Sequence, residues 1–358
     1  MWRKILWILT ILIVLAMLLS IISIYVSPAD AKWMSLLPFV IKYLLIGVVV
    51  IMLIWAFVNF KVAIPLAVVA FVGLKYFSHE YSFRDKSLDG EADFSVMSYN
   101  VKAFGLLDKR SDMLREAVVD TIIATNADIV CLQEAYWADK PSTFPTIDAI
   151  SKGLKASAVS KTELTSFNHG LGGLAILSRY EVVSQYSHNF DSTANGFMYV
   201  DVLMNEDTVR VYNCHLQSIM ISNSEVEMSG RHKGINSENK EKVQNLYSKF
   251  SEASVHRALQ VDMLVATLDT CPYPVILCGD FNDVPLSYTC FSILAAGERM
   301  HDTFMERGNG FGRTYSIMDT DFRIDYIMHS NKFKCLRHKA LDFNISDDHY
   351  PVTADFKW

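Results

Sequence analysis

Val275-Ile-Leu-Cys-Gly-Asp-Phe-Asn282 is a short apolar run that ends on an acid and an amide. Five residues, Val275 to Gly279, are too few for a buried helix and suit a buried strand. The same form recurs along the chain. Phe94-Ser-Val-Met-Ser-Tyr-Asn100 alternates at period two and stops on Asn100. Asp128-Ile-Val-Cys-Leu-Gln-Glu134 is apolar and stops on Glu134. Leu174–Ser178, Val209–His215 and Arg323–Met328 repeat the pattern. Met113, Leu114, Ala117, Val118 and Ile122 recur at helical spacing, and Val255–Leu268 reads as an amphipathic helix. Residues 217–251 are rich in Ser, Asn, Glu and Lys and read as an excursion from the core, helical around Lys240–Phe250. No internal repeat is evident. Many strands with few helices predict packed sheets covered by helices.

Each strand end carries a polar group able to do chemistry: Asn100, Glu134, Asn213 with His215, Asp280 with Asn282, Asp325, and Asp348–His349. A residue just past a buried strand faces the crevice at the sheet edge, where sites are assembled. Singly, each has an ordinary reading: an Asn after a strand is a turn residue, and Asp-Phe-Asn can be a plain Asx turn. Asp325 differs. Ile324, Tyr326 and Ile327 flank it, and a charge in such a strand is costly unless paired. His349 is the natural partner.

Taken in order, SYNV, QE, HG…GGLAILSR, NCHL, GDFN, RIDYI and SDDHYPV closely resemble the endonuclease/exonuclease/phosphatase superfamily, which includes DNase I-like nucleases, inositol polyphosphate 5-phosphatases and neutral sphingomyelinases. The resemblance runs from Phe94 to Phe356, and Arg257 and Gln260 fit the helix before GDFN. It implies an α/β fold, a four-layer sandwich of two mixed β-sheets flanked by helices. It also implies hydrolysis of a phosphate ester by in-line attack, without a covalent enzyme intermediate. By the same resemblance, Asp280 orients or deprotonates the attacking water and Asn282 holds that water or a phosphate oxygen. His349, oriented by Asp325, binds and polarises the phosphate. His215 donates to it with Asn213 in support, and Asp348 assists the metal or the leaving group. Gly312-Arg-Thr-Tyr315 is typical of the family, so Arg313 and Tyr315 could touch substrate.

The residues themselves say which cation suits them. Acid and amide oxygens without thiolate suit Mg²⁺ or Mn²⁺, with Glu134 as first ligand and Asn100 beside it. Ca²⁺ stays open for an extracytoplasmic domain. Gly170-Leu-Gly-Gly173 has the wrong spacing for a dinucleotide fingerprint. It reads as a close strand entry, with His169 beside it as a possible lining residue. No Gly-x-Ser-x-Gly elbow occurs, which argues against a serine hydrolase.

The 358 residues are 51% hydrophobic and 20% charged, greasier than a soluble domain. The excess lies at the N-terminus. Residues 1–77 hold six Lys/Arg and one Asp, which leaves 27 basic and 38 acidic side chains in residues 78–358, a formal −11. That balance argues against tight nucleic-acid binding, which needs Lys/Arg against phosphates, and makes a nuclease the second reading. An inactive binding module is the third. Ile5–Val26, Leu36–Phe60 and Val62–Phe77 are apolar runs long enough for three transmembrane helices. A cleaved signal peptide is the competing reading of the first run, but its apolar stretch is too long and further runs follow. The expected division is a membrane anchor over 1–77, a polar linker over 78–93 and a catalytic domain over 94–358. A chain integral to the cell membrane makes a lipid headgroup a natural phosphate-ester substrate. Arg3 and Lys4 favour a cytoplasmic N-terminus, hence an extracytoplasmic domain after three crossings; Lys75, Arg84 and Lys86 oppose this. The six cysteines form no CxxC pair and do not fix the compartment.

Overall fold

A computed structural model of the chain describes all residues except 84, 107–110, 139–145, 168–169, 192, 220–236, 318–319 and 343–347, and describes no side chains for 111 and 237–242. His169, Ser346 and Asp347, and much of the 217–251 excursion lie outside the described residues.

Three long apolar helices come first: α1 (Trp2–Ser23), α2 (Ile41–Val58) and α3 (Phe60–Phe77). Each is long and apolar enough to cross a membrane, and together they suggest insertion. The second apolar run is not α-helical from its start. Lys32–Val40 is a 3-10 helix containing Pro38, whose missing N–H and fixed φ disfavour an α-helical interior there. The helices pack antiparallel in turn. At one end Leu6, Trp55, Ala63 and Leu66 cluster, and the Trp55 indole donates to Thr10 at 2.8 Å. At the other end Met17, Ile24, Ile41, Leu45 and Ala70 cluster with Leu286 and Phe291 of the following domain. The helix bundle therefore seats on the domain. The polar segment after α3 does the same. Ser82 bridges Gly310, Leu88 N–H donates to Leu336, Asp93 N–H donates to Phe356, and the buried Arg323 guanidinium donates to the His79 carbonyl at 2.7 Å.

Two mixed six-stranded sheets follow. The first has the order β13 (Lys334–Ala340), β14 (Val352–Lys357), β1 (Phe94–Asn100), β2 (Ile129–Ala138), β4 (Gly170–Ser178), β3 (Ala158–Phe167). The second has β5 (Glu181–Asn189), β6 (Gly196–Met204), β7 (Asp207–His215), β8 (Val275–Asp280), β12 (Asp325–His329), β9 (His301–Asp302). A small hairpin, β10 (Tyr315–Ile317) and β11 (Thr320–Phe322), stands apart. Each sheet has one parallel pair near its middle, β1 with β2 and β7 with β8.

Period-two alternation sorts the core into three seams. Val96, Ile129, Val211, Ile276, Cys278 and Ile327 fill the space between the sheets. Met97, Tyr99, Val130 and Leu132 face α4 (Ser111–Thr125) and α5 (Thr146–Leu154). Tyr212, Leu277, Tyr326 and Met328 face α6 (Ser237–Asp269) and α7 (Tyr288–Ala295). The result is a four-layer sandwich, as expected. The Val255–Leu268 helix is the second half of the 33-residue α6. A short helix, α8 (Thr303–Arg307), is capped by the Asp302 carboxylate. All six cysteines are free thiols, five of them buried.

Candidate active site

The inward-facing positions of the parallel pairs are apolar until the carboxyl ends of the strands, where they turn polar. On β1 the inward series is Phe94, Val96, Ser98, Asn100. On β7 it is Val209, Val211, Asn213, His215, and on β8 it is Ile276, Cys278, Asp280. Asp325 opens β12 directly opposite Asp280 in the ladder, and His215 lies opposite Asp280 on the other side. Polar groups from both sheets thus meet at one edge of the sandwich, beyond the carboxyl ends of the parallel strands, where open α/β sheets bind ligands.

Glu134 gets there by an irregularity. Strict alternation would turn it toward the helices. Instead the β2–β4 ladder shifts register between Leu132 and Ala135, and Glu134 adopts φ +48°. The bulge re-aims its carboxylate, a common device beside functional sites. Strand β2 continues past it to Ala138, so Glu134 lies inside the strand rather than at its end. Gly173 pairs with Ala135 across this bulge, and a Cβ there would sit 2.0 Å from the Thr162 carbonyl oxygen, so only glycine fits.

The Asn100 amide nitrogen donates to Glu134 Oε1 at 2.9 Å and to Asp280 Oδ2 at 3.0 Å, holding the two carboxylates together. Its Oδ1 accepts from Lys102 N–H at 3.1 Å. His215 Nε2 lies 3.6 Å from Glu134 and 3.8 Å from Asp280, and His349 Nε2 lies 3.7 Å from Asp280. The expected partner of Asp325 is in place, with His349 Nδ1 at 3.1 Å from its Oδ2. The hydroxyl of the neighbouring Thr314 accepts from the backbone N–H groups of Ile324 and Asp325, both at 3.0 Å. Asn282 has φ +52° and donates its own N–H to Asp280 Oδ1 at 2.9 Å and its amide to the Leu216 carbonyl at 2.9 Å.

The electrostatics follow from this crowding. Burial disfavours ionisation of both members of the Asp325–His349 pair. For Asp325 burial dominates and lifts the carboxyl to about 6, with His349 pulling it down. For His349 burial opposes the cation, but Asp325, Asp280 and Glu134 outweigh it and raise the ring to about 9. Three carboxylates face one imidazole, so at neutral pH the ring holds the proton. Burial likewise raises Glu134, but His215, the Asn100 amide, His349 and Lys102 together bring it below the ordinary carboxylate range.

The structure brings together Asn100, Glu134, His215, Asp280, Asn282, Asp325 and His349. Two further residues expected at the site are engaged by partners of their own. Asn213 is fully buried beneath it, with its amide nitrogen on the Leu132 and Ala175 carbonyls (2.9 and 3.0 Å) and its oxygen accepting from Gln133 at 2.7 Å. Every one of those partners is internal. Asp348 pairs with the Lys102 ammonium. Sequence reasoning missed Lys102 and also Asn195, whose amide lies 3.5 Å from His215 Nδ1 and donates to the Leu216 carbonyl. Tyr315 packs its ring 4.7 Å from that of His349 and forms a β-bridge with it.

Could these residues hold a cation? His215 Nε2 is buried and finds no hydrogen-bond partner among the described residues, although it faces two carboxylates. Glu134 is part-exposed and offers an oxygen beside it. The donors are oxygen and imidazole, so a hard divalent ion fits. Asp280, Asp325 and His349 also come close enough to form an acidic/His metal site. Their mutual bonding, with His349 Nδ1 taken by Asp325, makes Glu134 the more available ligand.

A family model described as "Endonuclease/Exonuclease/phosphatase family" matches residues 97–347. The chain belongs to this family. Residues 3–79 separately match a domain of unknown function. Comparison with curated proteins gives no match. Solved structures of family members share the fold. The human Nocturnin catalytic domain, solved with bound sulfate, is 15% identical over 78% of this chain and 98% of its own (TM-score 0.52). A mannosyl-6-phosphatase from Bacteroides thetaiotaomicron is 16% identical over 74% and 100% (TM-score 0.51). Sphingomyelinase C from Streptomyces griseocarneus is 17% identical over 74% and 99% (TM-score 0.50). At such identities the likeness concerns the fold. Family membership makes the chain a hydrolase of phosphate esters or phosphodiesters.

Proposed function

We propose that the chain is a membrane-anchored, metal-dependent phosphoesterase whose site is the edge cluster of Asn100, Glu134, His215, Asp280, Asn282, Asp325 and His349. The observation that carries this is the orphaned His215 Nε2 beside Glu134 and Asp280, a buried donor left for a phosphate oxygen next to carboxylates that would hold its cation. Glu134 would hold Mg²⁺ or Mn²⁺, which when bound polarises a phosphoryl oxygen. Asp280 accepts a proton from the attacking water, oriented with Asn282. His349, kept cationic and aimed by Asp325, donates from Nε2 to a phosphoryl oxygen. His215 donates to the same group. Asn100 keeps the two carboxylates in register. Asp348 acts through Lys102, which it holds at the cavity rim. Asn213 supports the bulge that carries Glu134.

On this reading the chain divides into an anchor over 1–77, a connecting segment over 78–93 and a catalytic domain over 94–358. Arg3 and Lys4 at a cytoplasmic N-terminus, followed by three crossings, put the catalytic domain outside the cytoplasm, against the opposing pull of Lys32, Lys42 and Lys75 at the domain end of the bundle. The formal −11 of residues 78–358 argues against nucleic acid as substrate.

The test is hydrolysis of lipid, inositol-phosphate, sugar-phosphate and DNA substrates by the full chain with Mg²⁺, Mn²⁺ or Ca²⁺. Asp280→Ala and His349→Ala should each lose about 10²–10⁴-fold in rate while staying folded. Equal rates in wild type and both variants would remove the site assignment.

A further inference from the structure

The cavity over the site holds about 650 Å³, far more than a phosphate group needs. One end is polar, lined by Glu134, Asp280, Asn282 and His349. The rest is largely apolar, and two of its walls come from unrelated parts of the chain. Leu36 and Phe39 belong to the 3-10 helix that joins α1 to α2; Val243 and Leu246 belong to α6. Phe39 and Phe250 fix the two walls together, with ring centroids 5.3 Å apart. Here Leu36 and Val243 face the cavity while 39% and 65% exposed, apolar surface that stands to gain from a hydrocarbon.

Position gives the occupant. The 3-10 helix lies between two helices built to cross a bilayer, at the ends that pack on the domain. Its Leu36–Phe39 face is thus both cavity wall and membrane edge. We infer that the substrate is a membrane lipid bearing a phosphate ester, its headgroup at the Glu134–His349 end and the top of its hydrocarbon chain against Leu36, Phe39 and Val243. The inference rests on the phosphoesterase reading and narrows it. Under it the membrane segment is part of the binding site as well as a tether, and a soluble fragment lacking residues 1–77 would lose one wall.

The test is binding of n-alkylphosphonates, methyl to decyl, to the full chain in nanodiscs of phosphate-free galactolipid, measured by calorimetry with empty-disc partition subtracted. Kd should fall about fourfold per methylene until the wall is covered. A Leu36→Ser/Val243→Ser double variant should flatten that dependence and leave methylphosphonate affinity unchanged. A dialkyl phosphonolipid placed in the same disc should displace decylphosphonate. A Kd independent of chain length, a slope unchanged in the double variant, or no displacement by the embedded lipid would each overturn the inference. The two readings fail separately. A flat chain-length profile beside intact metal-dependent hydrolysis of a short ester strikes only the lipid assignment. Absence of hydrolysis beside a steep profile strikes the phosphoesterase reading.

Discussion

Asp325→Asn isolates the electrostatic part of the site with almost no change in shape. In the wild type, His349 is raised from its ordinary 6.5 to about 9 although burial works against the cation. That difference is worth about 3.4 kcal/mol in favour of the charged ring. Asp325 is the largest of the opposing causes and also accepts the Nδ1 proton at 3.1 Å. An asparagine oxygen can still accept that proton, so ring orientation is retained. The negative charge is gone, burial is then opposed only by Asp280 and Glu134, and the ring falls back toward its ordinary 6.5. The sign follows: the protonated ring is the donor, so activity is present below its pKa and lost above it. The wild-type rate should hold to about pH 9. In the variant the alkaline limb should move to about pH 6.5, so at pH 7.5 roughly a tenth of the rings carry the proton. The assay is kcat/KM against pH from 5 to 10 at saturating metal, with His349→Gln as a control that is slow throughout. A loss of at least about tenfold at pH 7.5 that recovers toward pH 6 is expected. An alkaline limb still near pH 9 in the variant, or a loss equal at every pH, would refute the assignment of His349 as cationic donor.

Three further perturbations test other parts of the molecule. Mg²⁺ at a hundred times its Kd should stabilise the wild type by about 2.7 kcal/mol in a thermal melt, and Glu134→Ala should abolish that gain. Asn213→Ala should cost about 2–4 kcal/mol in denaturant unfolding, because the Leu132 and Ala175 carbonyls and the Gln133 amide lose their partner in a dry seam. It should also weaken the metal response, by freeing the Glu134 bulge. His338 is buried, lowered to about 4 by burial, and bonded through Nδ1 to Thr303 at 2.9 Å. Its folded pKa lies below the unfolded 6.5, so its contribution is complete above pH 6.5 and falls by up to about 3 kcal/mol as pH drops to 4. His79 is lowered in the same way, so His338→Leu should remove only part of that acid slope in unfolding measurements.

Most of the site was legible because strand parity was legible. An apolar run read at period two says which face each polar terminus takes. Asn100, His215, Asp280 and Asp325 fall on the inner face with Val96, Val211, Cys278 and Ile327. The buried charge of Asp325 announced a partner, since an isolated carboxylate in that strand would be prohibitive. Parity misleads where the backbone breaks it. Nothing in LQEA marks a bulge, because its cause lies in the neighbouring strands: the close approach at Gly173 and the Asn213 amide from the opposite sheet. Lys102 opens a short 3-10 turn and Asn195 sits on a loop, where local pattern carries no direction. The polar segment after α3 looked like a free tether because its composition is that of one, yet its backbone groups are taken up by Gly310, Leu336 and Phe356, more than 200 residues away.

The hydrogen bonds of Asn213 show how the two sheets depend on each other. A bulge in β2 aims Glu134 into the cavity, but it also interrupts the ladder beside Leu132 and Ala175, deep in the sandwich where water does not satisfy freed carbonyls. Left alone, the chain would do better to restore the ladder and turn Glu134 back toward the helices. Asn213 prevents this from across the seam: one amide nitrogen takes both carbonyls, and its oxygen engages Gln133, the residue before the bulge. The same strand, two residues on, presents His215 to the carboxylate so placed. One strand of the second sheet therefore both stabilises the irregularity that exposes Glu134 and supplies the imidazole that faces it. A polar pair buried in an otherwise apolar seam is tolerated there because the site cannot be assembled from either sheet alone.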